Sequence, residues 1–162
     1  MLGELKVLFL HGLSSDGGRK TAFIQSLGFD VLTPRLSDWS FRGAVLTAQH
    51  AFDEFRPDVV VGSSRGGAVA LSMAAGHTPL VLLAPAWRWC GVGPVVRSRA
   101  VVLHSPNDAL VPVSDSRELC RRNPTARLIE VGVDHRLNDV EAAAVLADVL
   151  DELLPNRRVN CE

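Results

Sequence analysis

The sequence predicts a doubly wound α/β sheet, and three observations carry that prediction. Short apolar runs alternate with longer segments of helical periodicity along the whole chain, the signature of βαβ units. The runs are apolar at successive positions, not at alternate ones, which suits strands buried on both faces of a parallel sheet. The 162 residues, 47% hydrophobic and 22% charged, suffice to bury the core of one such domain.

The elements follow in order. Residues 5–10 are the first predicted strand. Residues 17–27 read as a helix, with Ala22, Phe23, Ser26 and Leu27 on one face. Residues 29–33 are the second strand. Residues 40–55 form the next helix, which brings Val45, Gln49, Phe52 and Phe55 near one another. Residues 58–62 are the third strand, and 66–75, small and apolar all round, suit a buried helix. Residues 80–84 are the fourth strand. Residues 85–97 hold Trp87, Trp89, Gly91, Gly93 and Pro94 and no long helical pattern, so a loop or short helical turn is expected. Residues 100–104 are the fifth strand. The helix over 113–122 opens after Pro112, a favourable first-turn residue. Residues 127–131 are the sixth strand. Residues 138–154 place Val140, Ala143, Ala144, Ala147, Leu150 and Leu154 at helical spacing and stop at Pro155. One domain is expected over residues 1–155, with a loose polar tail over 156–162.

Composition narrows the functional classes. Seventeen basic residues against eighteen acidic ones leave a net charge of −1, so no strong field invites nucleic acid or an acidic membrane. Three Trp, six Phe and no Tyr are poor material for a base-stacking surface. The opening residues lack the basic and long apolar regions of a signal peptide. No apolar run has the length of a bilayer span. Cys90, Cys120 and Cys161 are odd in number and have neither paired nor metal-ligand spacing. Reduced thiols and a cytoplasmic location are therefore expected, with no metal and no cofactor.

The chemistry is carried by Gly62-Ser63-Ser64-Arg65-Gly66-Gly67. It follows a predicted strand and precedes a predicted helix, the context that the G-x-S-x-G nucleophile pattern requires. The turn is sharp and forces Ser64 into a strained backbone conformation. Glycines at 62 and 66 remove side chains that would collide across it. Ser63 competes for the role but has Val61, not a small residue, two positions earlier. Glycine-rich turns of this kind also bind phosphate. The dinucleotide G-x-G-x-x-G and the P-loop Gly-Lys-Ser/Thr are both missing.

A serine hydroxyl needs a base, and the base needs an orienting acid. With such an elbow the acid and then the histidine follow along the chain. No Asp or Glu occurs between Asp58 and Asp108. Asp108 follows the fifth strand, at the carboxyl end of the sheet where open α/β folds build their sites. His135 is the one histidine beyond it, just past the sixth strand. A turn-capping role for Asp108 and a solvated loop position for His135 are the alternatives. The expected triad is Ser64, Asp108 and His135. The backbone N–H groups of Leu13, after the first strand, and Arg65, after the nucleophile, are the expected oxyanion donors. Trp87 and Trp89 are candidate walls of the substrate pocket, or else pack the loop onto the sheet. The Arg65 guanidinium is expected to pair with a nearby acid or to meet an anionic substrate group. His11 is expected to shape its loop and His104 to pack behind the acid.

Taken together, Leu10-His11-Gly12, the Ser64 motif, His104-Ser105-Pro106-Asn107-Asp108-Ala109-Leu110-Val111-Pro112 and Asp134-His135 make the chain resemble the α/β-hydrolase superfamily. In particular it resembles short bacterial esterase-like members without a cap domain. The resemblance implies a three-layer core of about six parallel strands in the order 2-1-3-4-5-6, no N-terminal hairpin, and the same triad. Ser105 stands where members often carry Gly. The implied function is hydrolysis of a small ester or thioester through an acyl-enzyme, on a small-molecule acyl substrate. An amidase or peptidase with the same triad, and a non-enzymatic binding protein on this fold, remain alternatives. Neither a nucleic-acid nor a membrane partner is expected, and the chain is expected to be a monomer or homodimer.

Overall fold

Four strands of five residues, one of four and one of three build the sheet of the computed structural model, which describes residues 4–155. They are β1 (Lys6–Leu10), β2 (Asp30–Leu32), β3 (Val59–Ser63), β4 (Leu80–Leu83), β5 (Ala100–His104) and β6 (Ala126–Glu130). All pair in parallel, in the order β2-β1-β3-β4-β5-β6. This is the order implied by the family resemblance. The tail over 156–162, with Cys161, lies outside the described residues.

The inner runs are apolar throughout because both faces of β1, β3, β4 and β5 are covered. Leu8, Leu10, Val60, Leu82 and Val102 point to one side, where they meet Ala44 and Ala48 of α2 (Phe41–Phe55), Val69 of α3 (Arg65–Ser72) and Leu119 of α4 (Val113–Arg122). Val7, Phe9, Val59, Val61, Val81, Leu83, Val101 and Leu103 point to the other. There they meet Ile24 of α1 (Gly18–Ser26) and Leu146, Val149 and Leu150 of α5 (Val140–Leu153). The alternation has the period of two that a pleated strand imposes. Three layers result, with helices on both faces.

Local chemistry sets the helix ends. Ser40 caps α2, its hydroxyl accepting from the Gly43 amide at 2.9 Å. Asp139 caps α5 through the Ala142 amide at 3.1 Å, so that helix begins two residues later than expected. Helix α3 is shorter than expected and ends at Ser72. There the Ser72 hydroxyl donates back to the Ala68 carbonyl at 2.9 Å and Met73 turns extended, a pairing that competes with the helix ladder. The inward face of α2 is centred on Ala44 and Ala48, with Val45 and Phe52 half-buried against the same core. Small residues let α2 approach the sheet closely. Gln49 is instead occupied at the edge, exchanging hydrogen bonds with the backbone of Ala74.

Residues 84–99 join β4 to β5 without a helix or strand among the described residues, so no cap covers the carboxyl ends of the strands. Among the described residues no helix is long and apolar enough to cross a membrane. Cys90 and Cys120 form no disulfide among the described residues.

Candidate active site

The turn after β3 is held by close backbone approach. Ser64 has φ 54° and ψ −116°, a conformation L-residues reach only at a cost. It persists because its surroundings over-determine it. Its amide donates to the Leu83 carbonyl at 2.8 Å, and its carbonyl accepts from Gly67 and Ala86 at 3.0 Å each. A Cβ on Gly66 would stand 2.0 Å from the Leu10 carbonyl oxygen, and one on Gly62 2.6 Å from the Gly66 carbonyl oxygen. Only glycine lets α3 start this close to β1.

The hydroxyl of Ser64 then meets His135, 3.0 Å from Nε2, while His135 Nδ1 lies 2.6 Å from Oδ2 of Asp108. Ser64, Asp108 and His135 leave the carboxyl ends of β3, β5 and β6, and they form one hydrogen-bonded line. The bonding fixes the tautomer: Nδ1–H donates to the carboxylate and Nε2 accepts from Ser64. Ser63 stays in the β3 ladder.

The side chain of Asp108 is buried and saturated. Its Oδ1 accepts from the Leu110 and Val111 amides, both at 2.8 Å. Its Oδ2 takes a second imidazole, with His104 Nε2 at 3.1 Å. Burial opposes ionisation of Asp108, but the Val111 amide, His135 and the Leu110 amide outweigh it and hold the carboxyl below its ordinary range. His104 is fully buried. Its Nε2–H also faces the Val111 carbonyl at 2.9 Å, and its Nδ1 takes the Ser116 hydroxyl at 2.7 Å. Burial lowers its pKa against the opposing pull of Val111 and Asp108. Ser105 is buried and useful. Its hydroxyl donates to the Gly132 carbonyl at 2.9 Å and accepts from the Asn107 amide at 3.1 Å, tying the acid loop to the histidine loop.

These shifts make a stability prediction. Both groups have folded pKa values below their unfolded ones, so in each window the unfolded chain binds more protons and stability falls with pH. His104 should cost stability as pH drops through about 6.5, and Asp108 a further increment below about 4. Urea midpoints at a series of pH values check this. A midpoint that is flat between pH 7.5 and 5 would show that His104 protonates as easily in the fold as outside it.

The other predicted residues separate. Leu13, Ser64, Trp89 and His135 line one open cleft of about 860 Å³. Leu110, Arg19, Lys20, Arg136 and Asn138 line it too, and sequence reasoning did not single these out. Among the described residues, no hydrogen bond engages the backbone amides of Leu13 or Arg65. Trp87 does not line the cleft, which corrects its expected role as a wall. It is 4% exposed, packs in the α2–α4 core and donates its indole N–H to the Asp115 carbonyl at 3.1 Å. A buried indole needs such an acceptor, and α4 supplies one. Trp89 is 76% exposed at the cleft.

The Arg65 side chain also departs from expectation. It is buried, stacks 5.6 Å above the Phe41 ring, and has no acidic partner among the described residues. Its Nη1 has no hydrogen-bond partner there either. His11 shapes its loop as expected, with Nδ1 donating to the Gly12 carbonyl at 2.8 Å and Nε2 accepting from the Leu36 amide at 2.9 Å. Among the described residues no three His, Cys, Asp or Glu side chains gather as a metal-binding group.

No protein-family model and no curated protein matches the chain. Solved structures do. The mouse alpha/beta hydrolase domain-containing protein 10 superposes with a TM-score of 0.75 at 15% identity, over 96% of this chain and 92% of that one. The chain has the α/β-hydrolase fold. The esterase domain of a Rhodothermus marinus protein gives a TM-score of 0.65 at 19% identity, covering 90% of this chain and 84% of that one. Est1E from Butyrivibrio proteoclasticus gives 0.66 at 12% identity, covering 96% and 89%. Within the α/β-hydrolase fold, this chain keeps the sheet and the site-bearing loops and carries no cap between β4 and β5.

Proposed function

We propose that the protein is a serine hydrolase that cleaves a small carboxylic ester or thioester through an acyl-enzyme. The observation that carries this reading is the hydrogen-bonded line from Ser64 through His135 to a buried Asp108. His135 Nε2 takes the Ser64 proton as Ser64 attacks the carbonyl carbon. Asp108 holds the imidazole in the required tautomer and stabilises its positive charge. The unengaged amides of Leu13 and Arg65 are the oxyanion donors, and losing one such donor typically costs about 3 kcal/mol of barrier. His135 then returns the proton to the leaving group, and a water molecule it activates releases the acyl group.

The cleft argues for a small substrate. Leu13, Trp89 and Leu110 are apolar, exposed and gathered at it. They offer surface for a short acyl or alkoxy group, and no lid encloses a long one. The esterase named among the structural neighbours fits the same chemistry.

Labelling with a fluorophosphonate probe tests the reading. Wild type is expected to react with one equivalent and Ser64→Ala not at all, with both folded by circular dichroism. A folded wild type that stays unlabelled, or equal labelling of the variant, would sink the assignment in favour of a binding role. A panel of p-nitrophenyl esters and acyl thioesters then ranks acyl lengths, and the shortest are expected to be the best substrates.

A further inference from the structure

Helix α1 begins with the wrong charges. The N-terminus of a helix favours anions and disfavours cations, and Asp16 just before α1 accepts from the Gly18 amide at 2.9 Å, yet the first turn itself carries Arg19 and Lys20 and no acid. A sequence that breaks a local rule next to a site is often serving the site. Arg19 is exposed, but Lys20 is half-buried and its ammonium is fully committed. It donates to the carbonyl of Arg136 at 2.7 Å, to the carbonyl of Leu137 at 3.0 Å and to Oδ1 of Asn138 at 2.7 Å. An ammonium has three N–H groups, and these three acceptors use all of them. They lie on the three residues directly after His135.

That segment needs an outside hold. Leu137 is a non-glycine residue at φ 51°, in the left-handed region where side chains strain the backbone. Its own turn supplies part of the support, since the Leu137 amide donates to the Asp134 carbonyl and the Arg136 amide to the Asp134 carboxylate. The carbonyls of Arg136 and Leu137 are left for Lys20. Lys20 comes from the element after β1 and the segment from the loop after β6, so the bond joins residues over a hundred positions apart.

We propose that Lys20 is a positioning residue for the base: its ammonium clamps residues 136–138 and so holds His135 in line between Ser64 and Asp108. The inference rests on the triad reading above. It also predicts a pH dependence. Burial lowers the pKa of Lys20 to about 8, against the opposing pull of Asp134 and Asp139 on the histidine loop and with Arg19 of its own helix adding to the shift. Asp139 is itself tied to the Val133 and Ala142 amides, and His135 and Arg136 complete the ionisable groups at this face. On deprotonation the amine keeps two N–H groups and turns a lone pair toward an acceptor. The clamp loosens, and activity falls in mildly alkaline solution. Misplacing a catalytic group by about 1 Å can cost up to about a hundredfold in rate.

The test compares wild type, Lys20→Met and Lys20→Arg. Fluorophosphonate labelling rates are measured from pH 6 to 10, together with amide hydrogen exchange over residues 133–138. Wild type is expected to lose rate above about pH 8. Lys20→Met is expected to label about tenfold or more slowly at pH 7, without that alkaline fall. Its 133–138 amides should exchange faster while those of β3 to β5 do not change. Lys20→Arg, which stays charged to about pH 10 and beyond, should recover part of the rate and show no alkaline fall. A Lys20→Met protein that labels Ser64 with the wild-type rate and profile overturns the clamp and leaves the triad standing. Unchanged exchange over 133–138 also overturns it, whatever the rates. A wild type that never labels overturns the triad reading first, and the clamp with it.

Discussion

Asp108→Asn is expected to lower kcat on a p-nitrophenyl ester by about four orders of magnitude while the protein stays folded. The reason lies in how the two carboxylate oxygens are shared. Oδ1 accepts from two backbone amides and Oδ2 from two imidazoles. An asparagine must leave its oxygen with the fixed amides of Leu110 and Val111, so its NH₂ replaces Oδ2 and faces His135. To accept that donor, His135 must carry its proton on Nε2, where it points at Ser64 and can no longer take the serine proton. His104 suffers too. Its Nε2–H keeps the Val111 carbonyl but loses the carboxylate and faces an NH₂ in its place. The side chain of Asp108 is fully buried, so water does not relieve either mismatch. Steady-state kinetics and a urea titration on the same sample read both effects. Activity within tenfold of wild type would mean that Asp108 does not set the tautomer.

Gly66→Ala is expected to be strongly destabilising. The added carbon would sit 2.0 Å from the Leu10 oxygen, 2.5 Å from the Leu10 carbonyl carbon and 2.7 Å from the His11 oxygen. All three are backbone atoms at the end of β1, and none can swing aside as a side chain would. Either α3 moves away from the sheet or the end of β1 does, and both carry the site. A loss of more than about 4 kcal/mol is expected, well outside the usual range for a point substitution. Gly93→Ala is the matched control. Nothing lies within 4 Å of its added carbon, and a change within about 0.5 kcal/mol is expected. Urea denaturation of both variants decides it, and equal stabilities would refute the steric account.

The inner strands were legible because β1, β3, β4 and β5 are buried on both faces, which writes a nearly continuous apolar run into each, while the edge strands β2 and β6 carry exposed Asp30, Arg127 and Glu130. The candidate site was legible because each member follows a different strand at the same edge, so chain position alone brings Ser64, Asp108 and His135 together. What stayed hidden depends on contacts between distant segments. Trp87 and Trp89 stand two residues apart in a segment of no regular period, and one reaches the α4 backbone while the other faces solvent. No local pattern separates them. The inward turn of α2 onto Ala44 and Ala48 reflects how closely the helix approaches the sheet, which an apolar stripe does not record. The partners of His104 on Ser116 and Val111 come from the start of α4 and the loop before it. Arg65, read from the sequence as partner to an acid or to an anionic substrate group, meets the face of Phe41. The one outward sign of Lys20 was its charge at the wrong end of a helix.

The two bonds of the triad join residues 71 and 27 positions apart, and every strand pair of the sheet closes across a crossover. Such topologies fold slowly, because the entropy of closing long loops is lost before the contacts that compensate it form. A chain still being synthesised carries Ser64 long before it carries His135. Until the last strand docks beside β5, that serine has no imidazole next to it.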